Sequence, residues 1–190
     1  AFINGKWVDT GDSFDVSNPA TGDVIQKVSN CGVGHYNEAV KGAHEAFAKF
    51  KQTNVRERAQ ILENIYDLMQ EHKQDLAKII TIENGKPLKD ALGEVEYSSM
   101  YFKWFAEEAP RVYGDVISSG VPGKQKIFTI RQPLGVVGIL TPWNFPSAMI
   151  ARKLAPAIAT GNTSVIKPAH ETPFSALALG ALAERAGLLA

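Results

Sequence analysis

The stretch TPWNFPSAMIARK, residues 141–153, brings an amide, an indole and two cations close together. Asn144 offers donors that carry no titratable proton, the kind of group that stabilises an oxygen anion. Pro142 and Pro146 stiffen the backbone on either side of it. Arg152 and Lys153 follow one or two turns into a helical pattern. A second chemistry-bearing run is KPAHETP, residues 167–173. Its Lys167 closes an apolar strand and can reach the hydroxyls or phosphates of a nucleotide. No G-x-G-x-x-G follows either strand, so the ordinary dinucleotide fingerprint is absent.

Two βα units must position these groups. GVVGIL is apolar on both faces, as a buried parallel strand should be. The helix SAMIARKLAPAIAT follows, with Pro146 near its first turn and Gly161 just past its end. TSVIK reads as a second strand. FSALALGALAERA is a second helix, with Thr172 as N-cap, Pro173 in the first helical position and Gly187 at its close. This β-α-β-α order puts both loops at the carboxyl ends of the strands, where open α/β sheets bind ligands. Both loops enter helix N-termini, whose free N–H groups attract anions. The residues alone point to a nucleotide-binding α/β half.

The preceding residues read as short strands and helices. Asn4-Gly5 marks a hairpin and Thr21-Gly22 a second turn. Val40, Ala43, Phe47 and Phe50 fall at helical spacing. One long helix is expected from about Val55 to Glu83, opened by an Asn54/Glu57 capping box. Its stripe is Ile61, Leu62, Ile65, Leu68, Met69, Leu76, Ile79 and Ile80, and Gly85 and Pro87 end it. A third helix runs from about Leu88 to Ala109, with Val95, Phe102 and Phe105 inward, and Pro110 stops it. Residues 116–133 read as a two-stranded ribbon turning at Val121-Pro122-Gly123, which needs another surface to pack on.

Composition narrows the function classes. Twenty Lys and Arg balance twenty Asp and Glu, which argues against a nucleic-acid or anionic-membrane partner. Cys31 is the only cysteine, so no internal disulfide forms and a reducing compartment is expected. AFINGKWV lacks a signal-peptide layout, and the longest apolar run is too short to span a bilayer, so the expected location is cytoplasmic. Cys31 and His35 have ligand-like spacing but no second pair, and no metal site is expected. Asn162-Thr163-Ser164 matches a glycosylation acceptor by chance in a cytosolic protein.

The run GVVGILTPWNFPSAMIARKLAPAIATGNTSVIKPAHETPFSALAL resembles the aldehyde dehydrogenase superfamily. The shared pattern is P-W-N-F-P, then K-L-x-P-A-[IL]-A-x-G-N, then K-P-x-x-x-T-P. GKPLKDALGEVEYSSMYFKWFAEEAPRVYGD and MIARK further resemble its succinate-semialdehyde dehydrogenase branch. The resemblance covers essentially the whole chain but only the N-terminal part of the family's length. It implies oxidation of an aldehyde to an acid with NAD or NADP, through a cysteine thiohemiacetal and thioester. Asn144 would donate to the oxyanion. Trp143 would flank the cofactor, and Lys167 would bond the adenosine ribose beside Pro168, Ala169, His170 and Glu171. Lys153 matches a lysine near the proton-transfer route. Arg152 matches an arginine that holds the substrate's far carboxylate with its two-pronged fork. Many NAD-preferring members carry glutamate where this chain has His170. A histidine there does not repel a 2′-phosphate, so use of NADP is expected.

The fold class expected is thus α/β. Residues 1–115 would be strands and helices of the cofactor-binding domain and 116–133 an oligomerisation ribbon. Residues 134–190 would form the first half of a Rossmann-like unit, with a homo-oligomer, dimer or tetramer, as the complete enzyme. The family's nucleophilic cysteine and general-base glutamate lie past Ala190, and Cys31 matches no catalytic motif. The chain alone is then expected to be inactive. Two other readings stand beside this one: a non-catalytic nucleotide-binding or oligomer-partner module, and an independent nucleotide-binding enzyme sharing the motif. Taken singly, Trp143 also fits a core aromatic, Asn144 a turn residue, and Arg152, Lys153 and Lys167 a solvated surface. The joint motif is what sets these readings aside.

Overall fold

A computed structural model describes residues 1–121, 123 and 125–188. Pro122 of the expected ribbon turn lies outside the described residues. Strands β1 (Phe2–Ile3) and β2 (Lys6–Trp7) form the first hairpin. Asn4 and Gly5 both take positive φ, 51° and 70°, as a two-residue turn of this hand requires. Strands β3 (Ser13–Ser17) and β4 (Val24–Ser29) form the second hairpin, with a register shift between Val16 and Ser17.

Four helices follow: α1 (Val33–Phe50), α2 (Val55–Glu71), α3 (Lys73–Asn84) and α4 (Leu88–Glu108). The Asn54 capping box is present. Asn54 Oδ1 accepts from Arg56 N at 2.9 Å, and Glu57 Oε2 accepts from Asn54 N at 3.1 Å. The expected single helix from Val55 to Glu83 is corrected to two, divided at His72 (φ −97°, ψ 16°). A straight helix of that length would run about 45 Å. The break lets α2 and α3 both pack on α4, and both also meet helix α6 (Pro173–Arg185). Groups around the break are tied down on both sides. His72 Nε2 lies 3.0 Å from Arg185 Nη1, and Lys73 Nζ lies 2.6 Å from Glu96. Gly85 ends α3 at φ 80°, and a Cβ there would stand 2.9 Å from Pro19 Cγ. Both conditions favour glycine.

The ribbon consists of β5 (Val116–Ser118) and β6 (Lys126–Phe128), paired antiparallel and exposed along both strands. After it come β7 (Val136–Leu140), α5 (Ala148–Ala159), β8 (Thr163–Lys167) and α6. β7 and β8 pair parallel, from Val136↔Thr163 to Leu140↔Lys167. The expectation that β7 is buried on both faces is corrected. Ile139 is buried, but Leu140 is 71 % exposed, because β8 is its only strand partner among the described residues.

One cluster of buried apolar residues runs from Leu62 to Ala186 and joins α2, α3, α4, α5, β7 and α6. Leu62, Ile65, Met69 and Phe102 have no measurable exposure. Each such side chain contributes about 1.5–3 kcal/mol relative to an exposed one. Asn162 is buried in a structural role. Its Oδ1 accepts from Leu134 N and Gly135 N at 2.7 and 2.9 Å and braces the entry to β7. Among the described residues no helix is long and apolar enough to cross a membrane.

Candidate active site

The parallel register places the two chemistry-bearing loops at one end of the sheet. Leu140 is opposite Lys167, and Thr141 N donates to the Lys167 carbonyl at 3.3 Å. Residues 141–147 leave β7 from there, and residues 168–172 leave β8 beside them. Asn144 and Trp143 are exposed, while Pro146 beside them is fully buried.

The backbone of the first loop is held from the α3–α4 connection. Asn84 Nδ2 donates to the Trp143 carbonyl at 2.8 Å. Lys86 Nζ donates to the Asn144 carbonyl at 3.1 Å and stands 3.9 Å from the centre of the Phe145 ring. The same ammonium pairs with Glu94 Oε2 at 2.5 Å. The other oxygen of Glu94 accepts from Ser147 N at 3.0 Å and Ala148 N at 3.3 Å. Ser98 and Ser147 share a buried hydroxyl–hydroxyl bond at 2.7 Å.

The second loop has a parallel anchor. Glu83 accepts from Phe174 N at 2.7 Å, from Ser175 N at 2.9 Å, and from the Ser175 hydroxyl. Burial pushes the Glu83 carboxyl above the usual carboxylate range, and these hydrogen bonds pull the other way. Thr172 precedes α6 as expected, but its hydroxyl is buried without a partner among the described residues. The side-chain cap expected of Thr172 is therefore corrected: Glu83 holds the helix N-terminus. A second correction follows. Glu94 at α5 and Glu83 at α6 already engage N–H groups that the sequence alone leaves free for an anion.

Lys167, Pro168, Ala169 and His170 line one part of a largely apolar cavity of about 640 Å³ between α1, β8 and α6. The Lys167 ammonium makes no hydrogen bond or ion pair among the described residues. Its free donors at a cavity mouth suit the hydroxyls of a nucleotide sugar. His170 Nδ1 lies 3.3 Å from Glu171 Oε2, with both side chains well exposed. Trp143 and Asn144 share the sheet end with these residues but do not line the cavity. Cys31 lies on the loop between β4 and α1 and, with His35, lines the same cavity.

Arg152 and Lys153 lie further along α5. Lys153 Nζ donates to the Met149 carbonyl at 3.0 Å. The Arg152 guanidinium stands 5.6 Å from the centre of the Tyr101 ring, with Nη1 3.8 Å from Met149 Sδ. Tyr101 shares a hydroxyl bond with Tyr97, which holds its phenol above the usual range while Arg152 acts against that shift.

Glu83, Asn84, Lys86 and Glu94 were absent from the sequence-derived site. A signal existed for two of them. Glu83 lies on the buried face of α3 after Leu76 and Ile80. Glu94 lies on that of α4 among Ala91, Val95, Ser98 and Phe102. A carboxylate on a core stripe demands a partner.

The family profile described as "Aldehyde dehydrogenase family" matches residues 7–189. The succinate-semialdehyde dehydrogenase (NADP(+)) of Saccharomyces cerevisiae is 54% identical over 98% of this chain, which covers 37% of that protein. The mitochondrial succinate-semialdehyde dehydrogenase of Rattus norvegicus is 50% identical over 99% of this chain, which covers 36% of it. A crystal structure described as an E. coli NADP dependent enzyme superposes with a TM-score of 0.97 at 48% identity, over 100% of this chain and 40% of that one. The chain thus spans little more than a third of the curated relatives it matches. Because the profile runs through nearly every element described above, the two loops and their anchors included, the chain belongs to the aldehyde dehydrogenase family.

Proposed function

We propose that this chain supplies the oxyanion donor and part of the cofactor cradle of an NAD(P)-dependent aldehyde dehydrogenase. Its substrate is a small aldehyde with a distal carboxylate, of the succinate-semialdehyde type. One observation carries the reading. Asn144 presents an exposed amide from an anchored backbone, at the sheet end it shares with Lys167, whose ammonium has no partner among the described residues.

In this reading the side-chain amide of Asn144 donates to the oxygen that becomes negative when a thiolate attacks the aldehyde carbon. The anchored loop makes the donor ready beforehand, which is where such stabilisation comes from. NAD(P), when bound, accepts the hydride. Lys167 holds the adenosine ribose, with Pro168, Ala169, His170 and Glu171 along it and Trp143 flanking the cofactor. Lys153 serves the proton route. Arg152 fixes the far carboxylate with its fork. The nucleophilic cysteine and the general-base glutamate belong to sequence beyond Ala190, so the 190-residue chain alone turns over no aldehyde. β7-α5-β8-α6 is the first half of a Rossmann-like unit, and the exposed ribbon β5–β6 packs against a second subunit. The lone cysteine fits a reducing compartment such as the cytoplasm.

The test is semialdehyde oxidation by the chain joined to the rest of its reading frame. Asn144→Ala should lower kcat about 100- to 1000-fold. Retention of full kcat would overturn the assignment. The cofactor reading has its own test. The completed enzyme should accept NADP, and His170→Glu should raise KM for NADP more than KM for NAD, because a carboxylate repels the 2′-phosphate. Strict use of NAD by the unaltered enzyme would refute it.

A further inference from the structure

We propose that Lys86 is the positioning residue for Asn144, an inference that rests on the oxyanion role given to Asn144 above. The Asn144 side chain makes no hydrogen bond among the described residues, so the part of this residue that the structure holds is its backbone. Lys86 is the cation that touches that backbone. It donates to the Asn144 carbonyl at 3.1 Å and lies 3.9 Å from the Phe145 ring centre, so it grips both sides of the 144–145 peptide. A carbonyl fixed in this way fixes ψ of Asn144, and with it the direction of Cβ relative to the following turn.

The ammonium is itself held. Its side chain is 14% exposed and its partner Glu94 is 1% exposed. Glu94 in turn holds Ser147 N and Ala148 N, on the far side of buried Pro146. One ion pair therefore bridges residue 144 to the start of α5 and fixes the turn from both ends. Lysine suits the place because its three donors radiate from one point. They can serve a carboxylate and a carbonyl while the charge rests on a ring face. A guanidinium is larger and holds its five donors in one plane, so it serves both acceptors only where both lie near that plane.

The simpler alternative is an ion pair that stabilises the fold and leaves Asn144 indifferent. Lys86→Met alone would not separate the two, since it leaves Glu94 buried and unpaired. Lys86→Met combined with Glu94→Gln removes both charges and keeps an acceptor for Ser147 N and Ala148 N.

The first measurement uses the completed enzyme, deuterated and labelled with nitrogen-15. In the double variant the Asn144 and Phe145 amides should shift and lose order on the nanosecond scale, while those of Phe102 and Ile150 stay unchanged. Unmoved Asn144 and Phe145 signals would overturn the proposal. The second measurement uses the completed enzyme. The double variant should lower kcat about 10- to 100-fold, with KM for the aldehyde within about threefold. In an Asn144→Ala background the same change should cost less than about threefold. A full additional loss in that background would assign Lys86 a role apart from Asn144 and overturn the proposal. If Asn144→Ala itself keeps full kcat, the oxyanion reading fails, and the amide measurement alone decides whether Lys86 aims residue 144.

Discussion

The loops 141–147 and 168–172 leave the same end of one parallel pair and enter helices of 12 and 13 residues. Each of those helices starts on a buried glutamate from an earlier helix. The two carboxylates are stabilised differently. Glu94 has the Lys86 ammonium beside it as well as two backbone donors, whereas Glu83 has N–H and O–H donors and, among the described residues, no cation. The first loop also has its own carbonyls bonded at residues 143 and 144. The second borders an open cavity. On the proposed reading, the loop that aims a donor is clamped along its length, and the loop that admits the cofactor is anchored, among the described residues, at its helix.

The contrast is broken most strongly at Glu94. Glu94→Ala strips Lys86 of its partner in a nearly dry site and frees Ser147 N and Ala148 N. Removal of one member of such a pair costs about 3–5 kcal/mol. The urea midpoint should fall accordingly. A loss below about 1 kcal/mol would mean that water already serves these groups.

How much of this was legible in the sequence follows from the range of the interactions. The hairpin at Asn4-Gly5, the Asn54 capping box and the βαβα order were readable because each is set by neighbours along the chain. Asn144 and Lys167 stood out for the same reason, as polar groups on stiff corners after apolar strands. The break at His72 was not readable, because the residues that tie α2 and α3 to α4 and α6 are distant in sequence. Nor were the anchors. Glu83 reaches Phe174 and Ser175, and Lys86 reaches Asn144, across dozens of residues. Only their position on buried helix faces hinted that something had to receive them.

Glu83 offers a smaller effect with a distinctive pH dependence. Glu83→Ala leaves unpaired the donors at the α6 N-terminus, namely Phe174 N, Ser175 N and the Ser175 hydroxyl, and should cost about 1–3 kcal/mol. Burial raises the carboxyl's pKa above its unfolded value. Between the two values the folded chain binds the proton more readily than the unfolded one, so this group's contribution to stability declines as pH rises through that window. Glu83→Gln should flatten that part of a stability-versus-pH curve measured by urea titration. An unchanged slope would place the proton elsewhere. Glu94→Gln provides the contrast, since it unbalances a charge pair and should lower stability at neutral pH.

The smallest effect tests which group caps α6. Asn54 caps α2 with its backbone extended, at φ −64° and ψ 142°, and its side chain accepts from Arg56 N. Thr172 has ψ 58°, and its side chain makes no cap bond. The hydroxyl is buried with no partner among the described residues, while Glu83 takes the donors beyond it. Replacing an unsatisfied buried hydroxyl by a methyl of similar size removes a desolvation cost and breaks no bond. Thr172→Val should therefore leave the urea midpoint unchanged or raise it, by no more than about 1 kcal/mol. A loss of more than about 1 kcal/mol, the usual worth of a threonine cap, would return the capping role to Thr172 and remove Glu83 from the anchor of the second loop.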